Sequence, residues 1–284
     1  MLESLTLIGI LAVAGAAAAA PVDWSKPVKL NVTRPRFEVL PPSKGPETQA
    51  LGGPVDFTLN FDANVPAGHQ TYFTTAANKW KSRIPTYAAT VNGPAAIVIA
   101  VSEPAIDGSG GILGSAGPTF GSTTGGYTIV TQGQMQFDSA DVNDMITAGV
   151  YDEVIEHEMG HVLGIGTLWP LNSLYVAGSG QYTGAAGLAA WKADYSGQAA
   201  ATTVPVELAG GSGTADGHWD EATGGAANVG ITYVPDGVDF KFELMTGWLN
   251  IPPSYTSVTH RSMADLGYAP NAVVPVELLG FTAD

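Results

Sequence analysis

The sequence contains no cysteine among its 284 residues. This absence excludes disulfide bonds, thiolate metal ligands and a cysteine nucleophile together. An exported protein without disulfides is more typical of a bacterium than of an animal. Basic residues are also few, since 11 Lys and Arg stand against 26 Asp and Glu, for a net charge of −15. Nucleic acids and anionic membranes are therefore not expected as partners, because both would repel the chain.

Long hydrophobic runs are missing except at the N-terminus. Within residues 1–20, the run from Leu5 to Ala20 is uncharged and apolar, increasingly rich in Ala and Gly, and ends in small residues. This pattern is typical of a signal peptide. Glu3, the absence of an early Lys or Arg, and Pro21 depart from that pattern. A transmembrane anchor is the alternative, although Ala and Gly are weak membrane formers. We expect a secreted, extracellular monomer with no stable membrane insertion after the signal peptide is removed.

The rest of the chain is long enough for one large domain or for two lobes around a cleft. The Pro-rich segment 21–54 predicts a linker or pro-segment rather than a core element. Residues 55–166 predict an N-terminal catalytic subdomain, and residues 167–269 predict a loop-rich C-terminal subdomain. Residues 270–284 would be a tail that begins a further strand or domain.

Local patterns predict which segments are strands and which are helices. Predicted strands cover residues 55–61, 95–103 and 127–130, and predicted helices cover residues 69–84, 140–165 and 259–268. The continuous β-branched run at 95–103 predicts a strand buried on both faces. Together these elements predict an α+β fold, with a twisted mixed sheet and an active-site helix lying along a cleft.

The motif H-E-x-x-H occurs in EVIEHEMGHVLGIG, residues 153–166. Positions i and i+4 of a helix share one face, so His157 and His161 can bind one metal ion. Glu158 then flanks the metal, where a base is needed to take a proton from water. The apolar residues around the motif predict a buried helix, and buried polar side chains need partners. The motif therefore predicts a zinc site rather than two chance histidines.

A catalytic zinc has three protein ligands and one open position, so a third ligand must come from elsewhere. No glutamate lies between Glu158 and Glu207, which argues against a Glu ligand from the next helix. In the most compact arrangement, H-E-x-x-H-x-x-G-x-x-H, the third histidine would be at position 167, but the residue there is Thr167. Gly164 is present, and a glycine with positive φ can end the helix and turn the chain beneath the metal.

Only two histidines follow the motif. His218 lies in the glycine-flanked loop ADGHWDEATGG, where a histidine has no packing role. His260 lies beside Arg261 on a predicted surface helix, where we expect a solvated side chain. His69, ahead of an earlier helix, is expected to cap that helix or face solvent. We favour His218 as the third ligand, which requires a large insertion to loop out and return.

The segments EHEMGHVLGIGTLW, GHWDE and ELMTGWL together resemble the leishmanolysin-like metzincin zinc peptidases. In that family an insertion separates the glycine from the third histidine, and a methionine turn follows. The resemblance implies zinc ligands His157, His161 and His218, a base at Glu158, and Met245 in the turn beneath the metal. The protozoan members are rich in cysteine, so this chain resembles bacterial-type relatives, and a cysteine-dependent latency switch is excluded.

A glycine-dense segment ahead of the motif helix carries Ile112, Leu113 and Gly114. These residues suit an exposed edge strand to which an extended peptide substrate could add by main-chain hydrogen bonds. A glycine loop over the core is the alternative explanation.

Acidic residues precede the motif helix at Asp138, Asp141 and Asp144. Carboxylates at this spacing could bind Ca²⁺ as a second cofactor, but they do not match the D-x-D-x-D-G pattern of calcium-binding loops. We favour roles at the N-cap and in the first turn of the following helix.

The predicted function is a secreted zinc endopeptidase that acts on protein or peptide substrates. The alternative is a non-catalytic zinc-binding adhesin or binding module on the same fold, against which the intact Glu158 argues. A third possibility is a metal-dependent hydrolase of a non-peptide amide.

Overall fold

The computed structural model describes residues 22–30, 36–40, 49–221, 225 and 228–272. The predicted signal peptide and most of the predicted tail lie outside these residues. The strands are β1 Val28–Lys29, β2 Glu38–Val39, β3 Phe57–Phe61, β4 Thr86–Tyr87, β5 Ile97–Ser102, β6 Gly114–Thr124, β7 Tyr127–Phe137, β8 Gln181–Tyr182, β9 Val204–Pro205, β10 Thr232–Tyr233, β11 Val238–Asp239, β12 Trp248–Leu249 and β13 Tyr268–Ala269. The α-helices within the described residues are α1 Gln70–Arg83, α2 Val142–Ala148, α3 Tyr151–Val162, α4 Ala185–Asp194 and α5 Ser257–Asp265. The predicted mixture of α and β structure is therefore confirmed.

The largest sheet in the described part of the chain is mixed and has the strand order β2-β6-β7-β5-β3. β3, β5 and β7 run parallel, whereas β6 and β7 form a long antiparallel hairpin. Along β5, the side chains of Ile97, Ile99 and Val101 are buried and those between them are partly or fully exposed. The prediction that this strand is buried on both faces is therefore wrong, because one face alone packs into the core.

α3 lies against β6 and β7 on one side and against α1 on the other. The contact with α1 is polar as well as apolar, since the indole Nε1 of Trp80 donates to the carbonyl of Glu156 at 3.0 Å. Arg83 and Lys79 each form an ion pair with one carboxylate oxygen of Glu156, at 2.5 and 2.9 Å. Glu156 is therefore a buried carboxylate with two cationic partners, and it connects α3 to α1 at this point of the helix.

The predicted single helix over 140–165 is two helices in the structure. α2 ends at Gly149, which adopts φ +69°, and α3 begins two residues later. Glycine reaches this left-handed conformation without strain, and the chain uses it to change direction. The break leaves α3 as a separate buried helix that carries the whole H-E-x-x-H motif.

The C-terminal part contains one helix that the sequence analysis missed. α4 packs against α5 within a region that we expected to be loops. Its sequence AAGLAAWKAD is mostly small and apolar, so no stripe of larger side chains stands out. Trp191 anchors it, with its ring 4.5 Å from that of Tyr195 and 4.7 Å from that of Phe240.

Two strands come from the Pro-rich segment 21–54. β1 pairs with β12, and β2 pairs with β6 at the sheet edge. Leu30 follows β1 and is 1% exposed within the core. The expectation that this segment contributes nothing to the core is wrong at Leu30. In the described residues, helices that are long and apolar enough to cross a bilayer are not found.

Candidate metal centre

His157 and His161 project from the same face of α3, as the four-residue spacing predicts. Their Nε2 atoms lie 2.9 Å apart. Both side chains are fully buried, and so are the apolar residues Val154, Ile155 and Val162 of the same helix. The helix alone therefore fixes the relative position of these two side chains.

His218 completes the group from a distant part of the chain. Its Nε2 atom lies 3.1 Å from the Nε2 atoms of both His157 and His161. These three buried side chains are the one set of three or more His, Asp or Glu residues, within the described part of the chain, that could hold a metal ion. The structure therefore brings the three predicted ligands together, although it does not identify the metal.

The hydrogen bonds of the three rings define which nitrogen faces the centre. Each Nδ1 bonds a backbone carbonyl: Leu244 for His157 at 2.6 Å, Ile165 for His161 at 3.0 Å and Thr214 for His218 at 2.7 Å. A carbonyl can only accept, so each Nδ1 carries the proton and each neutral ring has a lone pair on Nε2. Backbone carbonyls commonly orient ligating histidines in this way.

Three lone pairs therefore converge within 3.1 Å of one another. Such an arrangement is repulsive unless a cation lies between the three atoms. Burial also lowers the pKa of His157 to about 4, which keeps that imidazole neutral, as a metal ligand must be. The residues present thus fit a metal ion bound by three imidazoles.

Glu158 follows His157 on α3 and is fully buried. Neither of its carboxylate oxygens has a hydrogen-bond partner among the described residues. Burial raises the pKa of Glu158 to about 8 in the metal-free protein, and a cation bound nearby would lower it again, because a positive charge favours the carboxylate form. An unpaired carboxylate is costly in the interior, so its presence next to the three imidazoles points to a chemical role.

Met245 lies against α3 between the two helical ligands. A Cβ atom at Gly160 would lie 2.7 Å from the Sδ atom of Met245, so the thioether occupies the space that a side chain would fill. Met245 is fully buried. The resemblance implied a methionine beneath the metal, and the structure places this side chain directly against the H-E-x-x-H helix. The sequence analysis did not single out Gly160, although a glycine inside a helix costs about 1 kcal/mol relative to Ala and so needs an explanation.

Gly164 turns the chain after α3, as predicted, with φ +113°. Gly166 also has positive φ, at +70°, and a Cβ atom there would overlap the carbonyl oxygen of Gly217. The loop that carries the third histidine therefore touches the backbone that leaves α3. Thr167 is not a ligand, because its hydroxyl donates to the carbonyl of His161 at 2.7 Å.

The loop around His218 is held between two other backbone segments. The carbonyl of His218 accepts from the N–H of Glu207 at 3.0 Å, and the N–H of Trp219 donates to the carbonyl of Met245 at 3.0 Å. The indole Nε1 of Trp219 donates to Thr259 on α5 at 2.9 Å. Trp219 thus connects the third ligand, the methionine turn and the C-terminal helix, a role that its sequence context did not reveal.

Two buried carboxylates hold the methionine turn. Glu243 accepts from the N–H of Met245 at 2.6 Å, and Glu221 accepts from the N–H of Gly247 at 3.0 Å. Burial raises the pKa of Glu243 to about 7 and that of Glu221 to about 8. The sequence analysis assigned neither residue, because an acid that bonds a distant backbone N–H leaves no local pattern.

The two other histidines lie apart from the centre, and both predictions about them need correction. His260 is fully buried on α5, with its Nε2 atom 2.9 Å from the carbonyl oxygen of Asn271, so it is not a solvated side chain. It is buried against Tyr255 and the backbone of Asn271, with its Nδ1 atom 3.2 Å from the hydroxyl oxygen of Tyr255. His69 lies at the N-cap of α1 but makes no capping bond, and its Nδ1 atom lies 2.9 Å from a carboxylate oxygen of Glu103.

The predicted peptide-binding residues lie beside the sheet edge. Ile112 and Leu113 precede β6, and Leu113 is 2% exposed, so the prediction of an exposed edge strand at these two residues is wrong. Leu113 is buried because it joins the hydrophobic core. Gly114 begins β6, and from there to Pro118 the strand pairs with β7 alone among the described strands.

The predicted calcium residues bind backbone instead of forming a metal-binding group. Asp138 and Asp141 accept hydrogen bonds from N–H groups of the loop 107–110, at 2.8 to 2.9 Å. Asp141 is at the N-cap of α2 without a side-chain capping bond, and Asp144 is in the first turn. Within the described residues these acids are not part of a group of three that could hold a metal.

No protein-family model matches this chain, and no curated protein matches it at a significant level. The functional assignment must therefore come from the chemistry of the metal centre.

Proposed function

We propose that the protein is a zinc-dependent endopeptidase of the leishmanolysin-like metzincin type. The observation that carries this proposal is the group of three imidazoles, whose Nε2 atoms lie within 3.1 Å of one another, with the unpaired carboxylate of Glu158 next to His157 in the same helix. The packing of Met245 on Gly160 supports the same assignment, because the resemblance requires a methionine at this place.

Zinc suits this set of ligands. Neutral imidazole is a preferred zinc ligand, and three protein ligands leave the fourth tetrahedral position open, as in catalytic rather than structural sites. A bound zinc ion supplies Lewis acidity, which polarises a carbonyl group and makes water acidic near neutral pH. The three backbone carbonyls that accept from Nδ1 fix the rings and increase their basicity.

Glu158 would move the proton. Its oxygens are free of other hydrogen bonds in the described structure, so either can accept a proton from water at the centre. The water that has lost its proton would add to the carbonyl carbon of the peptide bond. The same carboxylate oxygen would then donate that proton to the amine nitrogen as the C–N bond breaks. A carboxylate held by neighbouring donors could not make this exchange as readily. The tight packing of α3 against α1 keeps Glu158 in place during both transfers.

The start of β6 offers a place for the substrate backbone. From Gly114 to Pro118 this strand has a partner on one side only among the described strands, and it lies next to α3. All five residues are buried, so a substrate could reach this edge only after the covering residues move. An extended peptide can add to such an edge through main-chain hydrogen bonds. Recognition would then depend on the peptide backbone, which fits a protein or peptide substrate. Secretion and a monomeric state remain predictions from the sequence.

One observation favours a non-catalytic zinc-binding module as the second candidate. His157, Glu158, His161 and His218 are all 0% exposed. A peptidase must admit substrate to its metal, whereas a module that uses zinc for stability can keep the metal enclosed. The peptidase proposal therefore requires that the covering residues move when substrate binds.

Zinc content and casein cleavage should be measured together for the unmodified protein and for Glu158→Gln. We expect about one zinc per chain in both, with cleavage reduced at least about 100-fold in the variant, because the base is lost and the ligands remain. Glu153→Gln is the matched control, since Glu153 is another buried glutamate on α3 with an unpaired oxygen, and it should keep full activity. Zinc binding without any cleavage by the unmodified protein would favour the binding module.

A further inference from the structure

The N-terminal segment makes direct contact with the residues that support the third ligand. The N–H of Leu30 donates to the carbonyl of Gly247 at 3.2 Å, which extends the pairing of β1 with β12. The carbonyl of Leu30 accepts a hydrogen bond from the hydroxyl of Thr214 at 2.9 Å. Leu30 and Thr214 are both buried. One residue of the Pro-rich segment thus bonds the methionine turn and the His218 loop at once.

Thr214 passes this contact on to the metal centre. Its carbonyl accepts the Nδ1 proton of His218 at 2.7 Å, so the position of Thr214 sets the direction in which that imidazole points. Its methyl group packs on Gly247, where an added Cβ atom would lie 2.5 Å from Cγ2. The backbone of Thr214 is otherwise bonded within its own loop, by its N–H to the carbonyl of Gly211 at 3.0 Å. The Leu30 and Gly247 contacts are therefore the ones through which Thr214 itself is joined to the rest of the protein. They add to the bonds that His218 and Trp219 make with Glu207 and Met245.

We propose that residues 28–30 are a positioning element for the third metal ligand and act through the hydroxyl of Thr214. On this account the segment is part of the working metal centre and not a pro-segment that activation removes. A maturation cut on the C-terminal side of Leu30 would weaken metal binding. The inference rests on the proposed metal site but does not depend on peptide hydrolysis.

The positioning role can be tested with two substitutions of Thr214 in the full chain. Thr214→Val keeps the shape of the side chain but removes the hydroxyl, whereas Thr214→Ser keeps the hydroxyl and removes the methyl group. The zinc dissociation constant of each folded variant is measured by competition with a chelator. We expect about 10-fold weaker binding for Thr214→Val, at the lower end of the effects of residues that orient metal ligands, and near-normal binding for Thr214→Ser.

The outcomes separate this inference from the proposed function. If the unmodified protein binds no zinc, the proposed metal site is wrong and the inference falls with it. If the unmodified protein binds zinc and Thr214→Val binds it equally well, only the positioning role is wrong. Weaker binding by Thr214→Ser than by Thr214→Val would also overturn it, because packing rather than the hydroxyl would then be decisive.

Hydrogen exchange provides a second readout that a purely structural contact would not change. If residues 28–30 help to hold the ligand, zinc must in turn stabilise residues 28–30, because coupling between two sites is reciprocal. Removal of zinc should therefore speed amide exchange in peptides that cover residues 22–30 and 214–218. Peptides that cover β3 should not change, because this strand lies at the sheet edge away from β6 and β7, which contact the ligand helix. Unchanged exchange at 22–30 after zinc removal would overturn the inference, as would equal zinc protection of this segment in Thr214→Val.

Discussion

His157 and His161 lie one helical turn apart on α3, whereas His218 reaches the same point from a loop 57 residues beyond His161. The helical half of the metal centre, His157 and His161, is fixed by local hydrogen bonding and by the ion pairs of Glu156 with α1. The loop half is fixed by close backbone approaches, such as that of Gly166 to Gly217. The helical half is therefore determined by spacing along the sequence and the loop half by tertiary contacts.

This comparison predicts where substitutions should act. Changes on the helical side should act through the ligands themselves, because the helix survives many substitutions. On the loop side, substitutions of small residues such as Gly166 should also weaken zinc binding, although these residues do not contact the metal themselves.

The largest effect is expected from loss of one ligand on either side. His161→Ala and His218→Ala should each weaken zinc binding by about 10³-fold, since one of three ligands carries roughly a third of the binding free energy. Competition with a chelator measures the loss. His260→Gln is the control and should bind zinc normally, because His260 lies outside the group. Normal zinc binding by His218→Ala would mean that the loop half is not part of the metal site.

The next largest effect should come from Gly166→Ala. The added Cβ would overlap the carbonyl of Gly217 and would also sit at positive φ, so we expect the free energy of unfolding to fall by about 3 kcal/mol and zinc to bind more weakly. Gly197→Ala is the matched control, because Gly197 has φ +74° but open space around its Cβ position. It should cost about 1 kcal/mol and leave zinc binding unchanged. Equal effects of the two substitutions would show that backbone strain, and not the contact with Gly217, is decisive.

A smaller effect concerns pH and Glu221. Burial raises the pKa of Glu221 to about 8, above its value in the unfolded chain. Between about pH 5 and pH 8 the Glu221 carboxyl is protonated in the folded state and ionised in the unfolded state. The free energy of unfolding therefore falls as pH rises through this window. Glu221→Gln should remove the Glu221 part of this dependence, while Glu158 and Glu243 keep theirs, and it should gain on the order of 2 kcal/mol relative to the unmodified protein at pH 8. Urea denaturation of zinc-free protein at pH 5 and pH 8 measures it, and an identical pH dependence in both proteins would contradict the assignment.

The smallest effect is expected where α3 meets the methionine turn. Gly160→Ala should cost about 1 kcal/mol, because the new methyl group must displace the flexible end of Met245 while it favours the helix. In Met245→Ala, which removes that side chain, Gly160→Ala should cost nothing or stabilise the protein. A double-mutant cycle on unfolding free energies measures this coupling. Additive effects would show that the two residues do not touch.

The helical half of the site could be predicted from sequence because its geometry is local. The spacing of His157 and His161 is enough to place two imidazoles on one face. His218 was found differently, since the sequence offers few histidines and a glycine-flanked loop leaves one of them without a packing role. The residues that hold the His218 loop in place could not be predicted from the sequence. Gly166 meets Gly217, and Thr214 meets Leu30, only after the chain has folded.

The errors have a common physical origin. His260 was expected in solvent because its contacts with Tyr255 and with the backbone of Asn271 form only in the folded chain and leave no local sequence pattern. Leu30 was expected outside the core because the prolines around it are typical of linkers, whereas two-residue strands such as β1 are too short to show alternation. The α+β class and the strands β3 and β5 were predicted correctly, because their apolar patterns extend over five or more residues. β6 was missed because its glycine-rich sequence shows no clear alternation, and only residues 127–130 of β7 were predicted.

The most direct test of the metal centre is X-ray absorption at the zinc edge of the zinc-loaded full chain. Our account predicts three imidazole ligands with Zn–N distances of about 2.0–2.1 Å and one further light-atom ligand, as in a catalytic site. A spectrum with two imidazoles would show that His218 does not bind, and failure of the protein to retain zinc would contradict the account altogether.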